Sequence, residues 1–321
     1  MTGRAKRPSG RPATRPNSSS AKGRPVKAGP AKGAPAKGRP AKGAPAKGPT
    51  GTRGSSAPRS GASRGGAPRQ STEKGLGGTQ VEGRQSVREL LLAGKRRIHE
   101  VNMADDLDHA EVLDDIAELA QDLRIPVRRI SRRKLEMMSR TEASQGVVAT
   151  AAELPDHELD ELCRSRQGGP QPFLIALDGV TDPGNLGALI RTAECAGVTG
   201  ILLPRHRAVH VTPTVTKAAA GAVEHVPIAL VGGLPAAIGR MQELGVWVIG
   251  LDAGGASTIH QLSIDAAPVC LVLGAEGSGL SRLVAQRCDV VASIPMRGQL
   301  GSLNVSVAGA VAIYEIVRRR S

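Results

Sequence analysis

The sequence of 321 residues is poor in aromatic side chains, in cysteine and in long apolar runs. One Phe, one Tyr and one Trp leave Val, Leu, Ile and Ala to build any core. The four cysteines show neither a C-x-x-C pair nor a neighbouring His cluster, which argues against a disulfide framework or a zinc site and predicts a metal-free protein. No apolar run reaches the roughly 20 residues that a membrane span needs, so no membrane association is expected. An apolar segment typical of a secretory signal is also lacking, and we expect a cytoplasmic protein.

Acidic residues are almost absent from residues 1–75, which hold 18 Lys and Arg but a single acid, Glu73. The remaining 25 basic and 28 acidic residues nearly cancel. Residues 31–40 recur almost unchanged as residues 41–50, and hardly any large apolar side chain is present. We therefore expect residues 1–75 to form a disordered tail. The tail is interpreted either as an electrostatic tether to a polyanion, because cations gain affinity by releasing counterions, or as a solvated segment without a specific role.

Residues 78–153 are predicted to form a small α/β unit, because short apolar runs alternate there with amphipathic ones. The predicted helices are residues 83–92, 109–123 and 132–138, and the predicted strands are residues 98–103, 126–130 and 147–151.

The same unit carries a dense cluster of cations in which Glu136 is the only acid. A charge cluster is usually a solvated face, but this density favours contacts to phosphates. The cluster consists of Arg124, Arg128, Arg129, Arg132, Arg133, Lys134 and Arg140.

Residues 154–172 are predicted to be a linker that starts as a helix and continues as a hinge rich in Gly and Pro. From residue 173 to residue 321, strand-like runs alternate with helical ones, which predicts an α/β domain with a parallel sheet. Its predicted strands are residues 173–177, 201–203, 226–231, 246–251, 269–274 and 290–294. In such sheets, ligands bind beyond the carboxyl ends of the strands.

Three polar stretches follow strand-like runs of this domain. They are Asn185-x-Gly187-x-x-x-Arg191, Gly274-Ala-Glu276-Gly-Ser-Gly279 and Ser302-Leu-Asn304-Val-Ser306. Glycines let a backbone approach a ligand closely, and Ser or Asn can cap the first N–H groups of a helix. Taken alone, the third stretch could be only a capped helix. A dinucleotide-binding loop is disfavoured because the second stretch lacks the G-x-G-x-x-G spacing.

In this order, the three stretches resemble the motifs of the SpoU (TrmH) family of RNA 2′-O-ribose methyltransferases. The resemblance covers about residues 170–321. It implies a SPOUT domain with a deep trefoil knot, in which the chain after Gly274 passes through an earlier loop. It also implies S-adenosylmethionine as the cofactor and a homodimer with the knot at its interface. The terminal apolar helix, predicted at residues 305–317, suits such an interface but would equally suit a buried helix of a monomer.

The unit at residues 78–153 is more loosely similar to the ribosomal-protein-like substrate-binding domain of family members that act on ribosomal RNA. The layout therefore implies 2′-O-methylation of a guanosine in 23S ribosomal RNA. Three alternatives remain open: methylation of a 23S adenosine that confers antibiotic resistance, methylation of transfer RNA, and a non-catalytic ribosome assembly factor. The intact Arg191, Glu276 and Asn304 argue against the last.

The resemblance also assigns the cofactor site. Backbone groups at Gly274, Ile294 and Leu303 are expected to hold the methyl donor. The residues expected to flank it are Leu273, Met296 and Ser302.

For the chemistry, the resemblance places Arg191 at the ribose hydroxyl. The family proposal is a base assisted by the substrate phosphate, but a guanidinium stays protonated in proteins. Our alternative is that Arg191 binds the phosphate and stabilises the developing alkoxide, while the proton leaves to water or phosphate.

The other motif residues are expected to support this step. Glu276 is expected either to pair with Arg191 or to tie two loops together. Asn185 and Asn304 would position the ribose and the loop, and Ser302 would form a hydrogen bond near the hydroxyl or Arg191.

Overall fold

A computed structural model describes residues 75–165, 167–206 and 210–321. Except for Gly75, the predicted tail lies outside these ranges. Within them, no helix combines the length and apolar character needed to cross a membrane.

The N-terminal part is a four-stranded sheet covered by three helices. Its elements are β1 (Gln80–Glu82), α1 (Arg84–Ala93), β2 (Ile98–Ala104), α2 (Glu111–Asp122), β3 (Val127–Ile130), α3 (Arg132–Met138) and β4 (Val147–Ala151). The strand order is β1–β4–β2–β3, in which only β2 and β3 run parallel. Alternate residues of β4 face opposite sides of the sheet, so Val147 and Ala149 pack with α1 and α2 while Val148 meets Leu135 of α3.

The C-terminal part is a wholly parallel sheet, as predicted, but it has seven strands rather than the six predicted, because the two-residue strand at Ser257–Thr258 was not predicted. Its strands are β5 (Phe173–Asp178), β6 (Gly200–Pro204), β7 (Ile228–Val231), β8 (Trp247–Leu251), β9 (Ser257–Thr258), β10 (Val269–Gly274) and β11 (Val290–Ser293). Its helices are α4 (Leu159–Leu162), α5 (Pro183–Cys195), α6 (Pro213–Ala218), α7 (Leu234–Glu243), α8 (Arg282–Arg287) and α9 (Val305–Arg320). The order β7–β6–β5–β10–β8–β11–β9 puts β10 at the centre, where all its residues are buried.

Most predicted elements are confirmed, with boundaries shifted by a few residues. The strand β1 was not predicted, because three residues are too short to show a periodic pattern. Only its pairing with β4 identifies it. The helix α9 continues to Arg320, beyond the predicted end at residue 317.

The predicted linker is attached to the C-terminal sheet over its first part. The backbone N–H of His157 donates to the carbonyl of Ile228 at 3.0 Å, and a carboxylate oxygen of Asp156 accepts the N–H of Leu230 at 2.8 Å. The predicted helix is the short α4. This first part of the linker is therefore held against β7, because its polar groups have partners there, and the hinge predicted for the part rich in Gly and Pro stays a prediction.

A buried ion pair joins the N-terminal and C-terminal parts. Arg96, in the loop after α1, donates to the Glu224 carboxylate from Nε at 2.9 Å and from Nη2 at 2.5 Å. Its Nη1 donates to the carbonyls of Gly78 and Ala152 at 2.7 and 2.5 Å. The Arg96 and Glu224 side chains are only 4% and 2% exposed. Both charges are thus satisfied within the protein, which favours one fixed arrangement of the two parts.

Two further contacts of α1 with the C-terminal part reinforce the ion pair. The side chain of Ser86 in α1 donates to the carbonyl of Thr216 in α6 at 3.2 Å. Gly221 lies so close to α1 that a Cβ there would be 2.5 Å from the Cβ of Glu89, and its φ of +87° also favours glycine. The two parts therefore pack directly against each other at α1.

Glu224→Ala should destabilise the protein strongly, because it leaves the Arg96 guanidinium buried without its charged partner. Removing one member of a buried ion pair costs about 3–5 kcal/mol. Urea unfolding followed by circular dichroism measures the change. The matched control is Asp160→Ala, which removes a carboxylate from the exposed pair with Arg240 and should have a much smaller effect. Equal losses in the two variants would contradict the importance of the buried pair.

Candidate active site

The three predicted motifs meet at the carboxyl edge of the central strands. In the sheet register, Gly274 of β10 lies beside Asp178 of β5, and Leu273 lies beside Leu251 of β8. Because these strands are parallel, the loops that follow them emerge at the same edge. The second motif begins at Gly274 and therefore lies at the centre of this edge.

A cavity of about 490 Å³ opens at this edge, which is within the usual size range of small-molecule sites. Most of the residues that line it are glycine or apolar residues, and Asp252 and Glu276 are the two acids among those described. All six residues predicted to hold or flank the methyl donor line it: Leu273, Gly274, Ile294, Met296, Ser302 and Leu303.

The loop after β10 folds back on itself through backbone contacts. Ala275 and Gly279 exchange two N–H to carbonyl hydrogen bonds of 3.0 Å each. A Cβ at Gly274 would overlap the backbone of Gly279, and Gly279 itself has a φ of +65°. The glycines at these two positions are therefore required by the shape of the loop.

One carboxylate oxygen joins all three motifs. Oε1 of Glu276 accepts Nδ2 of Asn185 at 3.0 Å and Nδ2 of Asn304 at 2.6 Å. The same Asn304 nitrogen donates to Oδ1 of Asn185 at 3.0 Å. Glu276 thus ties loops together, the second of the two roles predicted for it.

Two N-caps fix the helices that begin at the site. Oδ1 of Asp182 accepts the backbone N–H of Asn185 at 2.7 Å at the start of α5. Oδ1 of Asn304 accepts the N–H groups of Ser306 and Val307 at 2.9 and 3.4 Å at the start of α9. The predicted capped start of the last helix is confirmed. Because Asn304 caps with its oxygen and contacts Glu276 with its nitrogen, capping and site formation are compatible.

Arg191 lies nearly two turns along α5 from Asn185, and its side chain is exposed. Among the described residues, no hydrogen bond or ion pair joins it to Glu276, so the first role predicted for Glu276 is not found. Arg191 is also outside the lining of the cavity. Between the two motif residues, Gly187 has room only for hydrogen, since a Cβ there would be 2.5 Å from the Cβ of Ala218 in α6.

Arginines anchor the far end of α9. The Glu315 carboxylate accepts Nη2 of Arg318 at 2.7 Å and Nε of Arg319 at 2.8 Å, and these guanidinium groups hold the pKa of Glu315 well below its usual range. Arg320 donates to the carbonyls of Pro172 and Gln171 at 3.1 Å each. The helix that carries the third motif is thus held at both ends.

Two aspartates that were not predicted from the sequence hold the second motif. Oδ2 of Asp178 accepts the N–H of Ser281 at 2.6 Å. Oδ2 of Asp252 accepts the N–H of Leu280 at 3.0 Å, and its Oδ1 accepts the N–H of Gly254 at 2.9 Å. The sequence feature that could have identified them is the position of each Asp at the end of an apolar run predicted to be a strand.

The predicted RNA-binding cations surround β3, an edge strand of the N-terminal sheet. Arg128 pairs with Glu100 at 3.1 Å, and Arg132 pairs with Asp106 at 2.8 Å and lowers the pKa of Asp106. Glu136 is the only acid within this stretch of sequence, but folding brings two distant acids, Glu100 and Asp106, to the cluster. Three arginines of the prediction are exposed and have no ion pair within the described ranges: Arg124, Arg129 and Arg133.

Three of the four thiols are buried or half-buried. Burial raises the pKa of Cys163 and Cys288 to about 11, and that of Cys270 well above its ordinary value. In the part of the chain that the structure describes, no group of three or more His, Cys, Asp or Glu side chains is placed to hold a metal ion.

Two family models match the chain. That of the SpoU rRNA methylase family matches residues 172–314, and that of RNA 2′-O ribose methyltransferase substrate binding matches residues 80–167. YacO of Bacillus subtilis, a TrmH family tRNA/rRNA methyltransferase by name, is 38% identical over 242 residues, which are 75% of this chain and 96% of YacO. The 23S rRNA (guanosine-2′-O-)-methyltransferase RlmB of Pseudomonas aeruginosa is 38% identical over 245 residues, or 75% of this chain and 97% of RlmB.

Solved structures share the fold. The SpoU methyltransferase AviRb from Streptomyces viridochromogenes, solved with AdoMet, has a TM-score of 0.63 at 24% identity, covering 75% of this chain and 89% of AviRb. An AdoMet-bound rRNA methyltransferase from Sinorhizobium meliloti has a TM-score of 0.61 at 25% identity, covering 75% of this chain and 87% of that chain. The predicted pairing of a substrate-binding domain with a SPOUT domain is confirmed. The trefoil knot stays a prediction.

Gly274→Ala should destabilise the protein by about 1–3 kcal/mol, because a Cβ there overlaps the Gly279 backbone, and should weaken binding of S-adenosylmethionine because the loop that shapes the cavity is displaced. Isothermal titration calorimetry measures the affinity, and thermal unfolding shows whether the fold survives. Gly298→Ala is the matched control, since a Cβ at Gly298 meets nothing within 4 Å. Unchanged affinity in Gly274→Ala would mean that this close approach does not shape the site.

Proposed function

The chain belongs to the SpoU family of RNA 2′-O-methyltransferases, and on that premise we propose that it methylates the ribose of a guanosine in 23S ribosomal RNA, with S-adenosylmethionine as the donor. The observation that carries the proposal is the meeting of all three motifs at one cavity through Glu276. The relative RlmB, whose name states this target, matches over both domains. As ribosomal RNA is the proposed substrate, the proposed location is the cytoplasm.

The cavity suits S-adenosylmethionine in size and chemistry. Backbone groups at Gly274, Ile294 and Leu303 would bind the edge of the adenine, since they line the cavity without charged side chains. Leu273 and Met296 would cover its faces. When bound, the cofactor supplies an electrophilic methyl group.

Arg191 would act on the RNA rather than on the cofactor. Its exposed guanidinium has no ion pair within the described residues, so its donors are available for a substrate phosphate. In that position it stabilises negative charge that develops on the 2′ oxygen, while the hydroxyl proton leaves to water or phosphate. Asn185, held by Glu276, would orient the ribose, and Ser302 at the cavity would form a hydrogen bond near the reacting hydroxyl.

The N-terminal domain would bind the RNA. Its exposed cations around β3 suit phosphate contacts, which position a nucleic acid without reading its sequence. The Arg96–Glu224 pair holds this domain against the catalytic one, so bound RNA would be presented at a fixed place. The basic segment at residues 1–75 would add a non-specific electrostatic tether.

We also propose that the protein is a homodimer. Val307, Val311 and Tyr314 repeat along one face of α9 and are 48%, 39% and 50% exposed. Leu300 and Leu303, in the loop before α9, are exposed as well. An apolar stripe of this kind suits burial against a second copy of the same helix.

Mapping of 2′-O-methylated nucleotides in cells with and without this protein tests the substrate. The expected result is the loss of one methylated guanosine of 23S ribosomal RNA. Transfer RNA is the second candidate, because the name of YacO includes it, and a site lost from transfer RNA would move the assignment there. An unchanged map would favour a non-catalytic assembly factor, and a lost adenosine site would favour the resistance reaction.

Arg191→Ala should lower methyl transfer by about 100-fold or more, because one preorganised donor to a developing oxyanion is typically worth that much. The affinity for S-adenosylmethionine should stay within a few-fold, since Arg191 is outside the cavity lining. Single-turnover rates and calorimetry measure the two quantities. Arg287→Ala in α8 is the control, as it removes another exposed helical arginine. Equal loss of cofactor binding would contradict the role of Arg191.

The variant with Arg129→Ala and Arg133→Ala should raise KM for RNA far more than it lowers kcat, because contacts made equally in ground and transition states do not change the chemical step. The slope of log affinity against log salt should fall by about 1.5 for two lost phosphate contacts. The matched variant carries Arg128→Ala and Arg132→Ala, whose side chains are already paired with acids, and should change less. A fall in kcat alone would contradict RNA docking at this surface.

A further inference from the structure

The charged side chains around the cavity all have the same sign. Among the described residues that line it, Asp252 and Glu276 are carboxylates and none is Lys, Arg or His. S-adenosylmethionine carries a positive sulfonium, whereas its product S-adenosylhomocysteine has a neutral thioether in its place. An acidic lining is therefore able to distinguish the two by charge.

Asp252 is placed to make this distinction. It directly follows β8 and is fixed by two backbone donors, Gly254 N–H to Oδ1 at 2.9 Å and Leu280 N–H to Oδ2 at 3.0 Å. Both donors are neutral, and within the described ranges no cation pairs with its carboxylate. Oε1 of Glu276 instead accepts the side-chain amides of Asn185 and Asn304, which belong to the other two motifs.

The loop that follows β10 leaves room for the Asp252 carboxylate. A Cβ at Gly279 would overlap Oδ2 of Asp252, so the absence of a side chain at Gly279 leaves the space that Asp252 occupies. The loop that contains the second motif thus holds this carboxylate, and Asp252 is one of the residues that line the cavity.

We propose that Asp252 is a specificity residue for the cofactor, whose carboxylate favours the cationic methyl donor over the neutral-sulfur product. The inference rests on the proposed use of S-adenosylmethionine. In the transfer, the bond between sulfur and methyl breaks and its electron pair stays on sulfur. The methyl carbon bonds to the 2′ oxygen, and the hydroxyl proton leaves to water or phosphate. The sulfur loses its charge, so the attraction to Asp252 ends and the product is released more readily.

Asp178, the last residue of β5, provides a matched comparison because it accepts a hydrogen bond from the same loop. Its Oδ2 accepts the N–H of Ser281 at 2.6 Å, as Asp252 accepts that of the preceding Leu280. Asp178 lies outside the lining of the cavity. Both carboxylates therefore accept a backbone N–H of this loop, but of the two only Asp252 lines the cavity.

Calorimetry on the full chain without RNA tests the inference with three probes: S-adenosylmethionine, S-adenosylhomocysteine and the cationic amine analogue sinefungin. Because an amide nitrogen cannot accept an N–H, Asp252→Asn removes the charge and also one of the two loop hydrogen bonds, a loss that should affect all three probes alike. This variant should weaken the two cationic probes about tenfold relative to S-adenosylhomocysteine, a change of about 1.4 kcal/mol in selectivity. Asp178→Asn should weaken all three probes by the same factor, and Asp252→Glu should keep the preference for cations.

Equal weakening of all three probes by Asp252→Asn would overturn the inference and leave Asp252 as a support of the loop. The same selectivity change in Asp178→Asn would overturn it too. If Asp252→Asn does not fold, the wild-type selectivity should fall between about 0.05 and 1 M salt because ions screen the carboxylate. A constant ratio would then count against the inference. A chain that selects the donor through Asp252 but leaves RNA unmethylated would contradict the proposed function alone.

Discussion

The site depends on one carboxylate that is held in place by the centre of a parallel sheet. Asn185 and Asn304, 119 residues apart in the chain, both donate to Oε1 of Glu276. An amide is oriented only if its partner is fixed, and Glu276 follows β10, which is buried between β5 and β8 along its whole length. The position of β10 therefore determines where the three loops meet and where the cavity opens.

A second constraint is the close approach of backbone to backbone. Gly274 leaves room for Gly279, Gly279 leaves room for Asp252, and Gly187 leaves room for α6. A cavity made in this way offers backbone groups and apolar surface but few charges, which suits binding of a cofactor rather than proton transfer. The proposed chemistry accordingly rests on placement, with Arg191 outside the cavity stabilising charge on the RNA.

The same packing connects the two domains. α1 of the N-terminal domain lies against Gly221 and α6, and α6 lies against α5 at Gly187. The domain that is proposed to bind RNA is thus in contact, through α6, with the helix that carries Arg191. The buried Arg96–Glu224 pair favours this arrangement of the two domains, because separating them would leave each of the two charges without its partner.

The sequence by itself determined the parallel α/β class and most helices and strands, because apolar periodicity is a property of neighbouring residues. The six residues expected at the cofactor came from the resemblance of the three motifs to the SpoU family, and all six line the cavity. Only the tertiary structure decided which of the two predicted roles Glu276 has. The structure likewise brought Glu100 and Asp106 to the cations, and Asp178 and Asp252 to the loop of the second motif. These contacts join residues distant in the chain. A hydrogen bond or ion pair requires its two atoms to be about 3 Å apart, and that distance is set by the order of strands in the sheet, which no local pattern encodes.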